Sequence, residues 1–340
     1  MNKAELLTLL QPEIEIIDDT MGREFSAINN PLLQEVINYA VFNGGKRIRP
    51  LLTILAARLC VFCKMPEGIA QEEELTPPID LYRLAMVFEF LHAASLLHDD
   101  VIDHASQRRG KPSANAVWDN THVILAGDFL HASAMTLAGT VGDSKTLAII
   151  GNATTSMIDA EFLQMQTAVE QNLSEENYFA VLRGKTGALI SSACEVGAYF
   201  TDASPEQQAA LRTYGDALGL AFQVVDDLLD YQGDPEKTGK TVGNDFVEGK
   251  MTLPLIHALE NAPDDEKKFI LDLLKDEPHK RHDQIEKVHN FIENNNGFSY
   301  SKQGAETLVE AALESLDIFK DCQAKNTLIG LAGYVLSREK

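Results

Sequence analysis

Apolar residues recur with a helical period along almost the whole chain. Runs that alternate apolar and polar residues between tight turns are nearly absent. That property excludes most sheet-built folds. In LLQEVINYAVFN (32–43), Leu33, Val36, Ile37, Ala40 and Val41 fall on one helical face. The same period predicts helices over 51–63, 81–98, 121–140, 144–169, 175–200, 205–231, 251–261, 265–275, 282–294 and 300–319. Breaks are expected at Pro31, Pro50, Gly110-Lys111-Pro112, Pro205, Gly233-Asp234-Pro235 and Pro278, with an exposed loop over 65–80 and a turn at Asn294–Gly297. None of these divides the chain into segments of different composition, and no tandem repeat shows at solenoid periods. The expectation is all-α: residues 1–340 as a single domain, one large helical bundle.

A chain of 340 residues, 45% of them hydrophobic, buries a sizeable core without disulfide staples. Its 51 acidic residues against 29 basic ones give a net charge of −22, which argues against a nucleic-acid partner and suits a site that gathers cations. Four cysteines (Cys60, Cys63, Cys194, Cys322) are too few for a disulfide scaffold. Cys60 and Cys63 have redox-motif spacing, but the run LLTILAARLCVFC reads as a core helix carrying thiols. The N-terminal apolar residues are interrupted by acids, unlike a signal peptide. No stretch approaches the roughly 20 apolar residues of a membrane span. A soluble, cytoplasmic protein is expected.

Two copies of D-D-x-x-D stand out: Asp99-Asp100-Val101-Ile102-Asp103 and Asp226-Asp227-Leu228-Leu229-Asp230. With 24 Asp in the chain, chance supplies one such match in about one chain in ten and two in roughly one in a hundred. Each copy closes a long apolar run, LAMVFEFLHAASLL or YGDALGLAFQVV, so each belongs on a helix. There Asp99 and Asp103 lie one turn apart with Asp100 nearby, and Asp226, Asp230 and Asp227 repeat the arrangement. Clustered carboxylates repel one another unless a cation compensates, and hard oxygen donors of this kind suit Mg²⁺, which completes its shell with water and phosphate oxygens.

A phosphorylated substrate held through such ions needs cationic side chains as well. Gly44-Gly45-Lys46-Arg47-Ile48-Arg49-Pro50 is a basic turn in which Arg49 can grip two oxygens. Gln107-Arg108-Arg109-Gly110-Lys111 follows the first acidic cluster, and Lys240 and Lys250 follow the second in a glycine-rich loop. A zinc site from His92, His98 and His104 fails on helix geometry, because six-residue steps turn about 120° around the axis.

Together, GGKRIRP, FLHAASLLHDDVIDHASQRRGKPS, LRGKTGA and FQVVDDLLDYQGDPEKTGKTVGNDFVEGKMTLP, in that order, resemble the trans-isoprenyl diphosphate synthases (polyprenyl synthetases) from about Pro31 to His257. The likeness is strongest to the bacterial long-chain branch that makes quinone side chains. The resemblance implies the isoprenoid synthase fold, a helical bundle around a central cavity. It implies a Mg²⁺-dependent prenyltransferase that condenses isopentenyl diphosphate successively onto an allylic diphosphate. Asp99, Asp100, Asp103, Asp226, Asp227 and Asp230 would hold Mg²⁺. Arg108, Lys185, Thr186, Gln223 and Lys240 would contact the allylic substrate, with Lys185 also counted as catalytic. Lys46, Arg49, His92 and Arg109 would bind isopentenyl diphosphate, and Lys250 joins the substrate-binding set. A homodimer with at most peripheral membrane contact is implied as well.

Two details point to a long product within that resemblance. The first motif lacks the two extra residues of bacterial short-chain synthases, and Gln164 stands where many short-chain members carry Asp. Ala94 and Ser95, one turn before Asp99, are small where short-chain relatives often place an aromatic. An open tunnel and an octaprenyl product follow, with Val87, Phe88 and Leu91 as candidates for its floor. A geranylgeranyl or farnesyl synthase is the nearest alternative. A class I terpene cyclase would lack the second D-D-x-x-D and GGKRIRP, and a non-catalytic subunit should have eroded motifs.

Overall fold

The computed structural model describes residues 3–66, 77–233 and 242–338. Helices account for nearly all of it: α1 (Lys3–Ser26), α2 (Pro31–Phe42), α3 (Ile48–Lys64), α4 (Ile79–Ile102), α5 (Ala114–Val117), α6 (Asn120–Val141), α7 (Ser144–Glu170), α8 (Glu175–Leu182), α9 (Ala188–Phe200) and α10 (Pro205–Gln232). They continue as α11 (Asn244–Glu248), α12 (Leu253–Asn261), α13 (Asp264–Leu273), α14 (Pro278–His282), α15 (Ile285–Asn294), α16 (Gly297–Ser315) and α17 (Gln323–Leu336). Among the described residues the one sheet is a two-residue ladder, β1 (Gln107–Arg108) with β2 (Lys111–Pro112). The all-α expectation holds.

Local signals set several boundaries. Asn30 caps α2 by accepting from Leu32 and Leu33 N–H groups at 3.0 and 3.2 Å, with Pro31 at the first helical position. Asp119 caps α6 in the same way through His122 N–H. Pro50 is no break: it sits in the first turn of α3, where its missing N–H costs nothing. The expected helix 175–200 is interrupted by a π-helical turn, Arg183–Gly187. α1 and α17 were not expected from the sequence. In α1 Glu5, Glu15 and Asp19 are exposed, while Glu13 is buried against Arg58 and Tyr82 and Leu6, Leu10, Ile17, Met21 and Phe25 are buried beside it in the helix's inner stripe.

The chain divides into two compact units. The first comprises Met1–Thr154, Leu189–Arg212 and Leu316–Gly330. Its centre is α4, packed against α1, α3 and α6. At Gly127 a Cβ would lie 2.4 Å from His98 Nε2, so the approach of α6 to α4 requires glycine. By length and composition α6 reaches the range of a membrane span, but Val123, Ala126, Leu130, Ala134 and Leu137 are buried as in a core helix. Cys60 lies fully buried on α3, its thiol pushed up to about 12 by burial, and Cys63 remains a free thiol one turn on.

The second unit comprises Thr155–Ala188, Thr213–Ser315 and Leu331–Lys340. Here α12 packs against α8, α13, α15 and α16. Tyr231, Phe246, Leu255, Leu259, Ile270, Val288 and Ile292 form its apolar centre.

Candidate active site

In the first unit α4 buries residues from Leu81 to Leu97 and delivers the first acidic motif at its C-terminal end. Asp99 is half-buried, Asp100 is buried and Asp103 is exposed at the C-cap. Carboxylates in a last helical turn meet the negative end of the helix dipole, so the placement is costly without a cation. Arg108 supplies one, its Nε 2.7 Å from Asp100 Oδ1. The Asp100 carbonyl accepts from Ala105 N–H at 3.0 Å and from Asn115 Nδ2 at 2.9 Å, which pins the segment after the helix.

Arg108 and Arg109 ride on the β1–β2 hairpin. Its two-residue turn, Arg109-Gly110, has φ +54° and +74°, both left-handed as the tight hairpin requires. A left-handed arginine is strained, and the hairpin is held by Tyr39 Oη donating to Pro112 O and Ser113 Oγ to Ala105 O, both at 2.6 Å. So positioned, Arg109 Nη1 donates to Gly44 O at 2.6 Å. The basic turn itself runs through positive φ at Gly44 (+93°), Gly45 (+129°) and Arg47 (+50°). Lys46 is exposed there, and Arg49 begins the buried side of α3.

The electrostatics of this corner are those of an anion site. Burial, then the charges of Arg49, Arg109, Arg108 and Arg47, hold the His92 imidazole well below its ordinary pKa, so it is neutral at physiological pH. Burial lowers the Arg49 and Arg109 pKa values too, with Glu89 opposing. Arg49 Nε is buried without a hydrogen-bond partner. A buried donor left unpaired among four arginines is a place where an anion's oxygen would gain most. A half-open cleft runs past Arg108 and Arg109, with Asp100 and these two arginines at its polar edge and Ala93, Leu96 and Leu97 in its apolar wall. Ala94 is buried one position along, and Ser95 donates to His92 O at 2.9 Å.

The second unit presents the second motif near the end of α10. Asp227 is buried and accepts from Tyr178 Oη at 2.7 Å and Gln223 Nε2 at 3.1 Å. Burial, with Asp245 and Asp226 nearby, pushes its carboxyl up to about 8 against the help of those two donors. Asp226 is exposed and meets Arg338 Nη2 at 3.1 Å, whose guanidinium lies 4.0 Å over the Phe222 ring. Asp230 accepts the Asp245 N–H at 2.9 Å.

Lys185 and Thr186 lie in the π-helical turn, a distortion often found at functional sites. Thr186 Oγ1 donates to Gln223 Oε1 at 3.3 Å, so Thr186, Gln223 and Asp227 form one chain of hydrogen bonds. Lys185 Nζ meets Glu161 Oε2 at 2.6 Å and Gln164 Oε1 at 2.9 Å. Lys250 is turned into its own loop, onto Asp245 at 3.1 Å and Glu248 at 2.8 Å. Burial works against its charge and the two carboxylates outweigh that, leaving the amine pushed up. Lys240 lies outside the described residues.

Sequence reasoning missed Glu89, Asp18, Tyr178, Asp245, Glu161 and Arg338. All six are partners of residues in the motifs that it did single out, and only tertiary contact reveals them. An acid at position 89, inside the apolar run LAMVFEFL, is the one visible signal.

Each motif offers an all-oxygen donor set in which the outer carboxylates reach solvent and the middle one is spoken for by protein. Among the described residues, no three His, Cys, Asp or Glu side chains converge into a ready cation cage. Carboxylate oxygens of this kind suit a hard divalent cation that draws its other oxygens from water and phosphate. The raised Asp227 pKa marks a buried acid short of positive charge.

Residues 30–292 match the family model described as polyprenyl synthetase. The chain belongs to the polyprenyl synthetase family. It is an all-trans polyprenyl diphosphate synthase, a prenyltransferase, and the matched residues run through both units. It is 33% identical over 337 residues to the octaprenyl diphosphate synthase of Escherichia coli, covering 96% of this chain and 99% of that one. It is also 31% identical over 339 residues to a short chain isoprenyl diphosphate synthase of Methanothermobacter thermautotrophicus (98% and 99%), so membership alone does not fix product length. Among solved structures, a decaprenyl diphosphate synthase from Rhodobacter capsulatus superposes with a TM-score of 0.86 at 35% identity, covering 99% of both chains. A polyprenyl synthase from Caulobacter crescentus, complexed with calcium and isoprenyl diphosphate, gives 0.86 at 30% identity over 98% of this chain and 97% of that one.

Proposed function

We propose that this polyprenyl diphosphate synthase is a long-chain enzyme, that its product is octaprenyl diphosphate, a precursor of quinone side chains, and that its working metal is Mg²⁺. The observation that carries the metal assignment is the repeated motif: twice, a helix closes on D-D-x-x-D with its middle carboxylate buried. Asp99 and Asp103 with Asp226 and Asp230 would be the ligands, while Asp100 and Asp227 support them from within. Bound Mg²⁺ would neutralise charge on the departing diphosphate.

The chain's own groups do the rest. Arg49, Lys46, Arg109 and neutral His92 bind the diphosphate of isopentenyl diphosphate, Arg49 with a donor that has no other partner. Arg108, Lys185, Thr186, Gln223 and Lys240 grip the allylic diphosphate, stabilising the charge that develops as it leaves. Lys250 pairs with Asp245, whose N–H in turn fixes Asp230. No protein nucleophile is needed, and apolar walls exclude the water that would quench an allylic cation. Ala94 and Ser95 leave room for a growing tail.

Under this proposal the enzyme works in the cytoplasm as a homodimer, with at most peripheral membrane contact and no nucleic acid. Cys60 and Cys63, one turn apart and unpaired, suit a reducing compartment.

The test is the mass of the product formed from farnesyl diphosphate, isopentenyl diphosphate and Mg²⁺. Octaprenyl diphosphate is expected, and Ala94→Phe should shift the distribution to shorter chains. A geranylgeranyl product from the unmodified chain, or elongation of geranyl diphosphate that stops at farnesyl diphosphate, would replace the long-chain reading. An unchanged distribution in Ala94→Phe would remove Ala94 from the tunnel.

A further inference from the structure

Arg47 belongs to the basic turn by sequence, yet it is 4% exposed. Its Nε donates to Asp18 Oδ1 on α1 at 2.7 Å and its Nη1 to Glu89 Oε1 on α4 at 3.0 Å. With both groups committed to carboxylates, the buried Glu89 and the half-buried Asp18, Arg47 offers no bidentate fork to a ligand. Its backbone is left-handed at φ +50°, a conformation a non-glycine residue keeps only when its surroundings impose it. Lys46 precedes it and Arg49 follows two residues later. At Gly45, Arg47 Nη1, Arg109 Nη1 and Glu89 Oε1 crowd within 2.9, 3.5 and 3.6 Å of where a Cβ would sit, so Glu89 stands at the centre of the turn.

We propose that Glu89 and Asp18 are positioning residues for diphosphate binding, acting through Arg47 to fix the Gly44–Arg49 turn and the bearing of Lys46 and Arg49. This rests on the proposed function, in which that turn receives isopentenyl diphosphate. It gives α1 a part in substrate binding that its sequence does not suggest. Removing a carboxylate from beside a cationic clamp should, by charge alone, tighten an anion. A positioning role has the opposite sign, and that makes the two separable.

The experiment is steady-state kinetics on the full chain with Glu89→Gln, Arg47→Met, their double variant, Asp18→Asn and Glu89→Asp, with thermal midpoints alongside. Glu89→Gln and Arg47→Met should each raise KM for isopentenyl diphosphate about tenfold, while KM for farnesyl diphosphate and kcat stay within about threefold. The double variant should be no worse than the worse single one, because both act through one contact. Asp18→Asn should cost about threefold, its carboxylate being 41% exposed, and Glu89→Asp should recover part of the loss.

An unchanged or lowered KM for isopentenyl diphosphate, multiplicative effects in the double variant, or a parallel loss of both KM values, kcat and thermal midpoint would overturn the proposal. If the unmodified protein condenses nothing, the functional reading fails instead. Calorimetry with inorganic diphosphate then decides the positioning role by whether Glu89→Gln weakens binding about tenfold or leaves it unchanged.

Discussion

The same five-residue motif is neutralised differently in the two units. In the first, the buried Asp100 is matched by a guanidinium at 2.7 Å, so its charge is compensated before any ligand arrives. In the second, the buried Asp227 has a phenol and an amide for partners, and its carboxyl rises to about 8, so near neutrality it keeps a proton. Sequence identity between the motifs therefore conceals two electrostatic states. The first is set in advance, and the second waits for positive charge.

The largest test of this contrast is on the outer acids. Asp99→Asn and Asp226→Asn should each lower the condensation rate by about 10³-fold, because each removes charge from a metal-holding set. A mild loss at one of them would break the symmetry assumed between the motifs. Next in size is a difference of sign. Asp100→Asn should destabilise the metal-free protein by about 2 kcal/mol, since Arg108 loses its charged partner. Asp227→Asn should not destabilise, and near pH 8 it should stabilise, because it removes a carboxyl that resists ionisation. Denaturant unfolding of the two variants checks both.

The pH dependence sharpens this further. Asp227 has a folded pKa above its unfolded one, so its contribution to stability is fully present below about pH 4 and is lost as pH rises through about 8. The thermal midpoint of metal-free protein should fall by about 5 °C from pH 6 to pH 9, and neither Asp227→Asn nor added Mg²⁺ should leave that slope intact. His92 carries the reverse sign. Its depressed pKa gives stability present above about 6.5 and lost as pH falls further. The smallest effect belongs to Tyr178→Phe, worth about 1 kcal/mol, which removes a donor to Asp227 and should move the pH midpoint upward.

How far the sequence reached follows from the range of each signal. Helical period and the two acidic motifs are local, and the structure puts both motifs at or near helix ends, as their apolar approaches implied. α1 escaped notice because its apolar stripe is broken by acids and contains Pro12, and only tertiary burial of Ile17, Met21 and Phe25 defines it. The π-helical turn at Lys185 and Thr186 escaped because RGKTGA carries no local mark of an extra residue in the turn. Arg47 could not be told from Lys46 and Arg49 by composition, since what separates them is a pair of carboxylates 29 and 42 residues away.

Metal dependence is where the whole reading is most exposed. Incorporation of isopentenyl diphosphate by chelator-stripped protein, followed as Mg²⁺ is added back, should rise saturably from a baseline near zero. Turnover that persists undiminished in excess chelator would contradict it.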